Sequence, residues 1–175
     1  MLHNSKAQSN NRLTASQTAG YGYNANGNLT SKTISSMNWT YAWDYENRMT
    51  SASDGTTTVG YQYDALGRRT KRTQGSTVTK FIYDGQDVLV DDNAGTLTKY
   101  LNGLGIDNKL RMQTGSSVSY FLTDHLGSTN GLANSSGSVT SSTSYNSFGN
   151  ASNTSFPTRY QFTGREFDSF TGLHY

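Results

Sequence analysis

Residues 61–68, Tyr61-Gln-Tyr63-Asp64-Ala-Leu-Gly67-Arg68, contain the pattern that decides the fold of this 175-residue chain. Two aromatic residues separated by one position are followed directly by Asp or Asn. The pattern begins again at every twentieth residue, and its clear copies are Tyr21-Gly-Tyr23-Asn24, Tyr41-Ala-Trp43-Asp44, Tyr61-Gln-Tyr63-Asp64 and Phe81-Ile-Tyr83-Asp84. A fixed period of this size indicates a supersecondary unit that stacks on its neighbours.

The period continues beyond residue 100. One copy is degenerate, with Leu101 and Gly103 in the aromatic positions, and the register returns at Phe121, which is followed by Thr123 and Asp124. A last copy, Tyr145-Asn146, is shifted by two residues. We therefore expect about six or seven units of the same kind.

Each unit contains two turns. In the first, Asp or Asn begins the turn and Gly stands three positions later, in the segments Asn24–Gly27, Asp64–Gly67, Asp124–Gly127 and Asn146–Gly149. Those preferences are typical of a type I turn whose Gly has a positive φ, the bulged three-residue hairpin loop. Asn47 and Asp87 replace the Gly in two copies, and a second series of glycines twenty residues apart, beginning at Gly55, marks the other turn.

The segments between the turns are rich in Thr, Val, Tyr and Phe, which is typical of strands. Because side chains alternate along a strand, Thr79, Phe81 and Tyr83 share one face. The sequence thus predicts an all-β fold of tandem hairpins in a curved, spiral-type sheet with an aromatic ladder, and Tyr63 and Tyr83 buried between hairpins. No helix is predicted, and 106–112 is undecided.

The composition excludes several classes of function. Hydrophobic residues make up 33% and charged residues 15%, with 12 Tyr and 7 Phe, so the chain is neither disordered nor built around a thick aliphatic core. There is no Cys, and His3, His125 and His174 are scattered, so no metal or other cofactor is expected. The sequence has neither a signal-peptide pattern nor an apolar stretch long enough for membrane insertion.

These residues resemble a known family. The segment Tyr61 to Arg68 fits the YxYDxxGR motif of YD repeats. The later segments Phe121 to Ser128, Tyr145 to Asn150, Phe162 to Asp168 and Thr171 to Leu173 look like the Rhs repeat-associated core region. From about residue 20 onward the chain is similar to part of an Rhs/YD-repeat protein.

The resemblance implies a role in a shell. In that family the hairpins wind into a hollow β-sheet shell, which in bacteria often encloses the C-terminal toxic domain of a polymorphic toxin. The expected partners are therefore the rest of the shell and a C-terminal toxin domain, in a secreted or cell-surface bacterial protein. The family's self-cleavage motif has no counterpart in this chain, and we expect no enzyme activity.

Three other interpretations are weaker. The pair Asp124-His125 could be catalytic, but Asp124 fits the turn position and no activated nucleophile accompanies it. The segment Asp91-Asp92-Asn93 lacks the spacing and the distal Glu of a calcium loop. The basic cluster at 68–72 splits its charge between two faces, so a solvated strand is favoured over a nucleic-acid surface.

The main alternative function is a surface-adhesion or glycan-binding module, because exposed aromatic rings stack on sugars. Such repeats usually depend on Trp, and Trp39 and Trp43 lie in one unit. The expected organisation is a polar N-terminal segment at 1–20, hairpin repeats at 21–150 and a closing segment at 151–175. Since nothing in the sequence covers the two end strands, we also expect the isolated chain to self-associate.

Overall fold

A computed structural model describes residues 6–7 and 12–175. In the first compact unit, residues 1–78, each strand pairs antiparallel with the next along the chain. Its strands are β1 Lys6–Ala7, β2 Leu13–Ala15, β3 Ala19–Tyr23, β4 Leu29–Ile34, β5 Met37–Trp43, β6 Met49–Ser53, β7 Thr58–Tyr63 and β8 Arg69–Gln74. This unit is a series of antiparallel hairpins.

The second compact unit, residues 79–175, has the same arrangement followed by a closing segment. Its strands are β9 Thr77–Asp84, of which the first two residues belong to the first unit, β10 Asp87–Asn93, β11 Thr96–Asn102, β12 Lys109–Thr114, β13 Ser117–Thr123, β14 Thr129–Ala133 and β15 Val139–Ser142. The closing segment contains a 3-10 helix, Phe162–Gly164, and the pair β16 Phe167–Asp168 and β17 Leu173–His174.

These strands confirm the predicted all-β class and the tandem hairpins. The undecided segment 106–112 includes the first residues of β12. Residues 1–20, expected as a polar start, include β1, β2 and the beginning of β3, while 1–5 and 8–11 lie outside the described residues. The boundaries at 20 and 150 remain predictions.

The first turn of the repeat has the predicted geometry. The amide of Gly67 donates to the carbonyl of Asp64 at 3.0 Å, and φ is 79° at Gly67 and 81° at Gly127. Asn47 takes the same left-handed conformation, with φ of 63°. The positive φ predicted for the turn glycines is confirmed.

The turn between β9 and β10 differs from the prediction. Asp84 and Asp87 are strand partners on either side of a two-residue turn, and Gly85 has φ of 57°. Because Gly directly after Asp84 allows this shorter turn, Asp84 does not begin a three-residue loop and Asp87 does not replace its Gly. That part of the prediction is wrong.

Burial on the aromatic face also needs a correction. In the pairs that begin at Tyr41, Tyr61 and Phe81 the first aromatic is buried, whereas Tyr63 and Tyr83 are only half-buried. In the pair that begins at Tyr21 both rings are half-buried. The side chain of Ile82, on the opposite face of β9, is 52% exposed. In the second unit the core is a cluster on the aromatic face, comprising Phe81, Val88, Tyr100, Phe121, Leu132, Phe156 and Tyr160.

The edge of β15 is partly covered by the chain itself. Asn153 Nδ2 donates to the carbonyl of Ser142 at 3.2 Å, and the amide of Ser144 donates to Ser152 Oγ at 3.0 Å. The expectation that nothing covers the end strand is therefore wrong at this edge.

Candidate functional site: the anchored hairpins and the closing segment

The second aromatic of the repeat anchors its strand to the preceding strand. Its polar atom donates a hydrogen bond to a main-chain carbonyl 10 to 16 residues earlier. The bonds are Tyr23 Oη to Leu13 O at 2.9 Å, Trp43 Nε1 to Leu29 O at 2.7 Å, Tyr63 Oη to Met49 O at 2.8 Å, and Tyr145 Oη to Thr129 O at 2.7 Å. This role explains why these rings are only half-buried: their edges lie over the neighbouring strand.

Tyr145 shows the electrostatic setting of such an anchor. Burial, together with the nearby charge of Asp124, raises the pKa of Tyr145 to about 12. The hydroxyl therefore keeps its proton at physiological pH and remains a donor to Thr129 O.

Arginine side chains lie against the aromatic face. Arg69 is 5% exposed, and its guanidinium carbon lies 5.4 Å from the centre of the Tyr61 ring. The guanidinium of Arg48 lies 5.1 Å from the centre of the Tyr63 ring. Cations over ring faces are attracted by the ring quadrupole. The expectation that the basic cluster at 68–72 is a solvated strand is thus wrong for Arg69, because this side chain is part of the packed face.

The turn carboxylates are held by main-chain and arginine donors. Asp64 Oδ1 accepts from the amides of Leu66 and Arg68 at 2.9 and 3.0 Å, and its Oδ2 accepts from Arg68 Nε at 2.7 Å. Burial acts to raise the pKa of Asp64, but these bonds and the charge of Arg68 outweigh it, so the pKa lies below its usual value. Asp44 has the same arrangement with Arg48.

Asp124, considered above as a catalytic candidate, has the same turn role. Its Oδ1 accepts from the amides of Leu126 and Ser128, both at 2.9 Å. Burial acts to raise the pKa of Asp124, but these hydrogen bonds lower it below the usual value. The carboxylate is therefore engaged as the anchor of the turn.

The closing segment is attached to the aromatic face through Arg159. Its Nε and Nη2 donate to the two carboxylate oxygens of Asp91, each at 2.8 Å, and its Nη1 lies 2.6 Å from Glu166 Oε2. The guanidinium carbon also lies 4.6 Å from the centre of the Phe81 ring and 4.4 Å from that of Tyr160. One cation thus joins β9, β10 and the closing segment.

The same cluster contains two tyrosines and a lysine. Tyr100 Oη donates to Asp91 Oδ2 at 2.8 Å, and the rings of Tyr100 and Tyr160 meet edge to face with centres 5.1 Å apart. Lys109 Nζ donates to Asp87 Oδ1 at 3.0 Å and lies 4.7 Å from the centre of the Tyr160 ring. We call Asp87, Asp91, Tyr100, Lys109, Arg159, Tyr160 and Glu166 the closing cluster.

Charge pairing holds Arg159 in its ionised form. Burial acts to lower the pKa of its guanidinium, but the attraction of Glu166, Tyr160 and Asp91 raises it well above its usual value. Burial raises the pKa of Tyr160 and of Tyr100, so both hydroxyls stay neutral. The closing cluster is therefore a set of paired, desolvated charges whose main effect is attachment of the closing segment.

The closing segment also contacts the hairpin turns of the second unit. The amide of Thr129 donates to Gln161 O at 3.1 Å, and that of Thr163 donates to Ser128 Oγ at 3.0 Å. Gly149 lies against the ring of Phe162, where an added Cβ would be 2.8 Å from Cδ1. The Gly at this position therefore allows a close approach as well as the turn.

The structure places all the predicted repeat residues except Asp84 in three kinds of position. The first aromatics, on the aromatic face of β3, β5, β7, β9 and β13, are Tyr21, Tyr41, Tyr61, Phe81 and Phe121. The second aromatics are Tyr23, Trp43, Tyr63, Tyr83 and Tyr145. The residues in or directly after the bulged turns are Asn24, Gly27, Asp44, Asp64, Gly67, Arg68, Asp124, Gly127 and Gly149, and Asp84 is the last residue of β9.

The closing cluster is absent from the sequence prediction. Arg159 and Asp91 are 68 residues apart, and neither stands in a repeat position. One sequence feature does indicate such a cluster: Asp91 is an acidic residue on the core face of a strand, and a buried acidic group requires a partner. Among the described residues, no group of three or more His, Cys, Asp or Glu side chains could hold a metal ion.

Tandem hairpins with a buried first aromatic, an anchoring second aromatic and Asp-capped turns define a β-hairpin repeat protein of the YD type. A family model described as Teneurin YD-shell matches residues 6–174. The chain belongs to the Teneurin YD-shell family, and it is a structural shell segment. The similarity to Rhs/YD-repeat proteins is confirmed.

The chain also has a weak similarity to parts of solved toxin complexes. The crystal structure of TcdB2-TccC3 has a TM-score of 0.45 and 16% identity over 91% of this chain and 8% of that chain. The Photorhabdus luminescens Tc holotoxin pore has a TM-score of 0.49 and 15% identity over 98% of this chain and 12% of that chain. This chain thus spans 8% and 12% of those two chains. No curated protein matches the chain, and no helix in its described part is long and apolar enough to cross a membrane.

Proposed function

We propose that this shell segment forms part of the wall around a C-terminal cargo domain of a larger Rhs/YD-repeat protein. The observation that carries the proposal is the anchoring of one strand to the preceding one by a repeat side chain, which recurs at four places along the chain. Trp43 and Tyr63 each place a hydrogen bond across a strand boundary, next to the buried Tyr41 and Tyr61 of the same face. Tyr145 makes the same kind of bond to Thr129 O. A wall needs this kind of contact, because each repeat is stabilised by its neighbours.

The role is structural rather than catalytic. Three of the carboxylates are engaged in structure: Asp44 and Asp64 hold turns and arginines, and Asp91 accepts from Arg159 and Tyr100. A general acid or base must exchange a proton with substrate at the operating pH. Asp44 and Asp64, whose pKa values are lowered by structural donors, are poorly suited to that task.

The two tryptophans give the alternative adhesin function little support. The indole N–H of Trp43 is used by Leu29 O, and Trp39 stacks on Tyr41 with centres 6.2 Å apart and planes 11° apart. Rings that bind sugars present a free face to solvent. The two tryptophans instead contribute to the packing of the first unit.

Protease protection tests the enclosure of cargo. The larger protein that contains this chain and the domain downstream of it is expressed whole, and limited proteolysis is followed by mass spectrometry. We expect the downstream domain to be cleaved at least tenfold more slowly than the same domain expressed alone. Equal cleavage rates would contradict enclosure.

A glycan array with the isolated chain tests the alternative. Concentration-dependent binding that is lost in Trp39→Ala would favour the adhesin. The absence of binding, together with cargo protection, would support the shell.

A further inference from the structure

A cavity of about 260 Å³ lies in the second unit, along the closing segment. The residues that line it include Asn150, Ala151, Thr154, Gln161, Phe167 and Ser169. The described residues of its lining include no member of the closing cluster. Sites for drug-sized ligands measure about 300–1,000 Å³, so this smaller cavity has room for a single ring system.

Gln161 brings an unpartnered polar atom to this cavity. The residue is 5% exposed, and its Nε2 donates to the carbonyl of Thr158 at 2.9 Å. Its main-chain amide donates to Arg165 O at 2.9 Å, and its main-chain carbonyl accepts from the amide of Thr129 at 3.1 Å. Oε1 is buried and accepts no hydrogen bond. Buried side-chain polar atoms in native proteins nearly always have a partner, so this oxygen marks a position at which a donor binds.

The rest of the lining is uncharged. Phe167 and Ala151 supply apolar surface, while Asn150, Thr154 and Ser169 are polar and exposed. Exposed side chains change rotamer on the picosecond to nanosecond timescale, so movement of these three side chains opens a path from solvent to the buried oxygen. The cavity therefore combines apolar surface, a polar entrance and one buried acceptor.

This combination selects among ligands. A cation would be buried without a carboxylate, which is costly. A hydroxyl or an amide carries an acceptor of its own, and among the described residues of the lining no buried side-chain donor is free to meet it. The N–H of an indole is a donor only. An indole therefore satisfies Oε1 without burying a second polar atom, and its apolar body packs favourably against an aromatic ring such as that of Phe167.

We propose that this cavity binds an indole-type ring, whose N–H donates to Gln161 Oε1 and whose ring packs against Phe167. Two sources supply such a ring: the tryptophan side chain of another polypeptide and a free heterocycle. The chemistry that recognises the ring is the same for both. The inference goes beyond the proposed shell role and does not depend on it.

Titration of the native chain with two ligands of the same shape tests the hydrogen bond. Indole and benzothiophene differ in that sulfur replaces the N–H, and amide NMR spectra report where and how tightly each one binds. We expect indole to shift the resonances of Gln161 and Phe167 in a saturable way. Indole should bind at least about tenfold more tightly than benzothiophene, which leaves Oε1 without a donor. Equal affinities, or indole shifts confined to other residues, would overturn the proposal.

A filled cavity gives a second measurement. Ala151→Leu places a larger side chain in the cavity and leaves Gln161 in place, so the affinity for indole should fall at least about tenfold. Ala65→Leu is the matched control, since Ala65 is exposed in a turn of the first unit, and its affinity should equal that of the native chain. Unchanged binding in Ala151→Leu would contradict the site. The comparison of the two ligands uses the native chain, so it stands whether or not this variant folds.

A third ligand distinguishes the two sources. N-acetyl-tryptophanamide presents the indole as it occurs in a polypeptide. Binding at least as tight as that of indole would support the proposal with a tryptophan side chain as the source. Binding of indole alone would support it with a free heterocycle as the source. Failure of both ligands to bind would overturn the proposal and leave the cargo-protection experiment unaffected.

Discussion

The guanidinium of Arg159 meets the carboxylate of Asp91 through two parallel contacts, Nε to Oδ2 and Nη2 to Oδ1, both of 2.8 Å. Two parallel hydrogen bonds of this kind fix the orientation of the guanidinium relative to the carboxylate as well as the distance between them. It holds the closing segment on the aromatic face, and removal of the arginine would leave the buried charge of Asp91 without its cation.

We expect Arg159→Met to lower the free energy of unfolding by about 3–5 kcal/mol, the cost of removing one partner from a buried ion pair. Arg165→Met is the matched control, since the guanidinium of Arg165 is 56% exposed and lies 3.0 Å from Asp107 Oδ2. An exposed pair of this kind contributes at most about 1 kcal/mol. Denaturant unfolding of both variants measures the difference, and similar losses would show that the closing cluster does not hold the segment.

Burial of the first aromatic of a pair gives a second prediction. Phe81→Ala should lower the free energy of unfolding by about 3–5 kcal/mol, because a large ring leaves a well-packed core. Ile82→Ala, on the exposed face of the same strand, should cost less than about 1 kcal/mol. Thermal or urea unfolding distinguishes the two, and equal effects would mean that the aromatic face is not the packing face.

Local sequence pattern and long-range contact account for different parts of this structure. The hairpins follow from features within twenty residues: the aromatic pair, the Asp or Asn of the turn and the Gly three positions later. Burial of Tyr61 in preference to Tyr63 could not be read in this way, because both lie on one face of the strand. Position along the strand and the hydroxyl partner, Met49 O, decide the difference.

The closing cluster could not be predicted from the local repeat pattern, and the reason is physical. Its members come from β10, β11, β12 and the closing segment, and the pairing of Arg159 with Asp91 depends on how the chain returns to the sheet. A repeat pattern contains no information about a segment that breaks the repeat. The shorter turn at Gly85 is different, since Gly directly after Asp84 is a local signal for a two-residue hairpin turn.

The anchoring role of the second aromatic predicts a small and specific effect. Tyr63→Phe removes the bond from Oη to Met49 O but keeps the ring, so it should lower the free energy of unfolding by about 0.5–1.5 kcal/mol. Tyr45→Phe is the control, since Tyr45 is 87% exposed. Exchange of the amide hydrogens of β6 and β7 should also speed up in Tyr63→Phe. An unchanged exchange pattern would show that the hydrogen bond does not anchor the strand.

Gly67 should matter through its backbone angle. Its φ is 79°, and a Cβ built at this position meets no atom within 4 Å, so a substitution is strained only through the main chain. We expect Gly67→Val to cost about 1–3 kcal/mol, while Gly67→Asn should be mild, because Asn tolerates the left-handed region. Equal tolerance of Val and Asn in thermal unfolding would contradict the bulged turn.

The turn carboxylates predict the acid response of the protein. The pKa of Asp44, of Asp64 and of Asp124 is lowered in the folded chain, because structural hydrogen bonds outweigh the effect of burial. A carboxyl group whose folded pKa lies below the unfolded value of about 3.9 stabilises the fold above that value. This stabilisation is lost as the pH falls through the folded pKa, when the carboxylate gains a proton and releases its donors. The free energy of unfolding should therefore decrease from about pH 5 downward, and Asp64→Asn, which cannot ionise, should show a shallower decrease than the native chain.

Asp92→Asn is the control, since Asp92 caps a turn of the other series through a single bond from the amide of Gly95 to its Oδ1. Urea unfolding at a series of pH values measures the slopes, and a slope in Asp64→Asn equal to that of the native chain would show that this carboxylate does not couple the turn to pH.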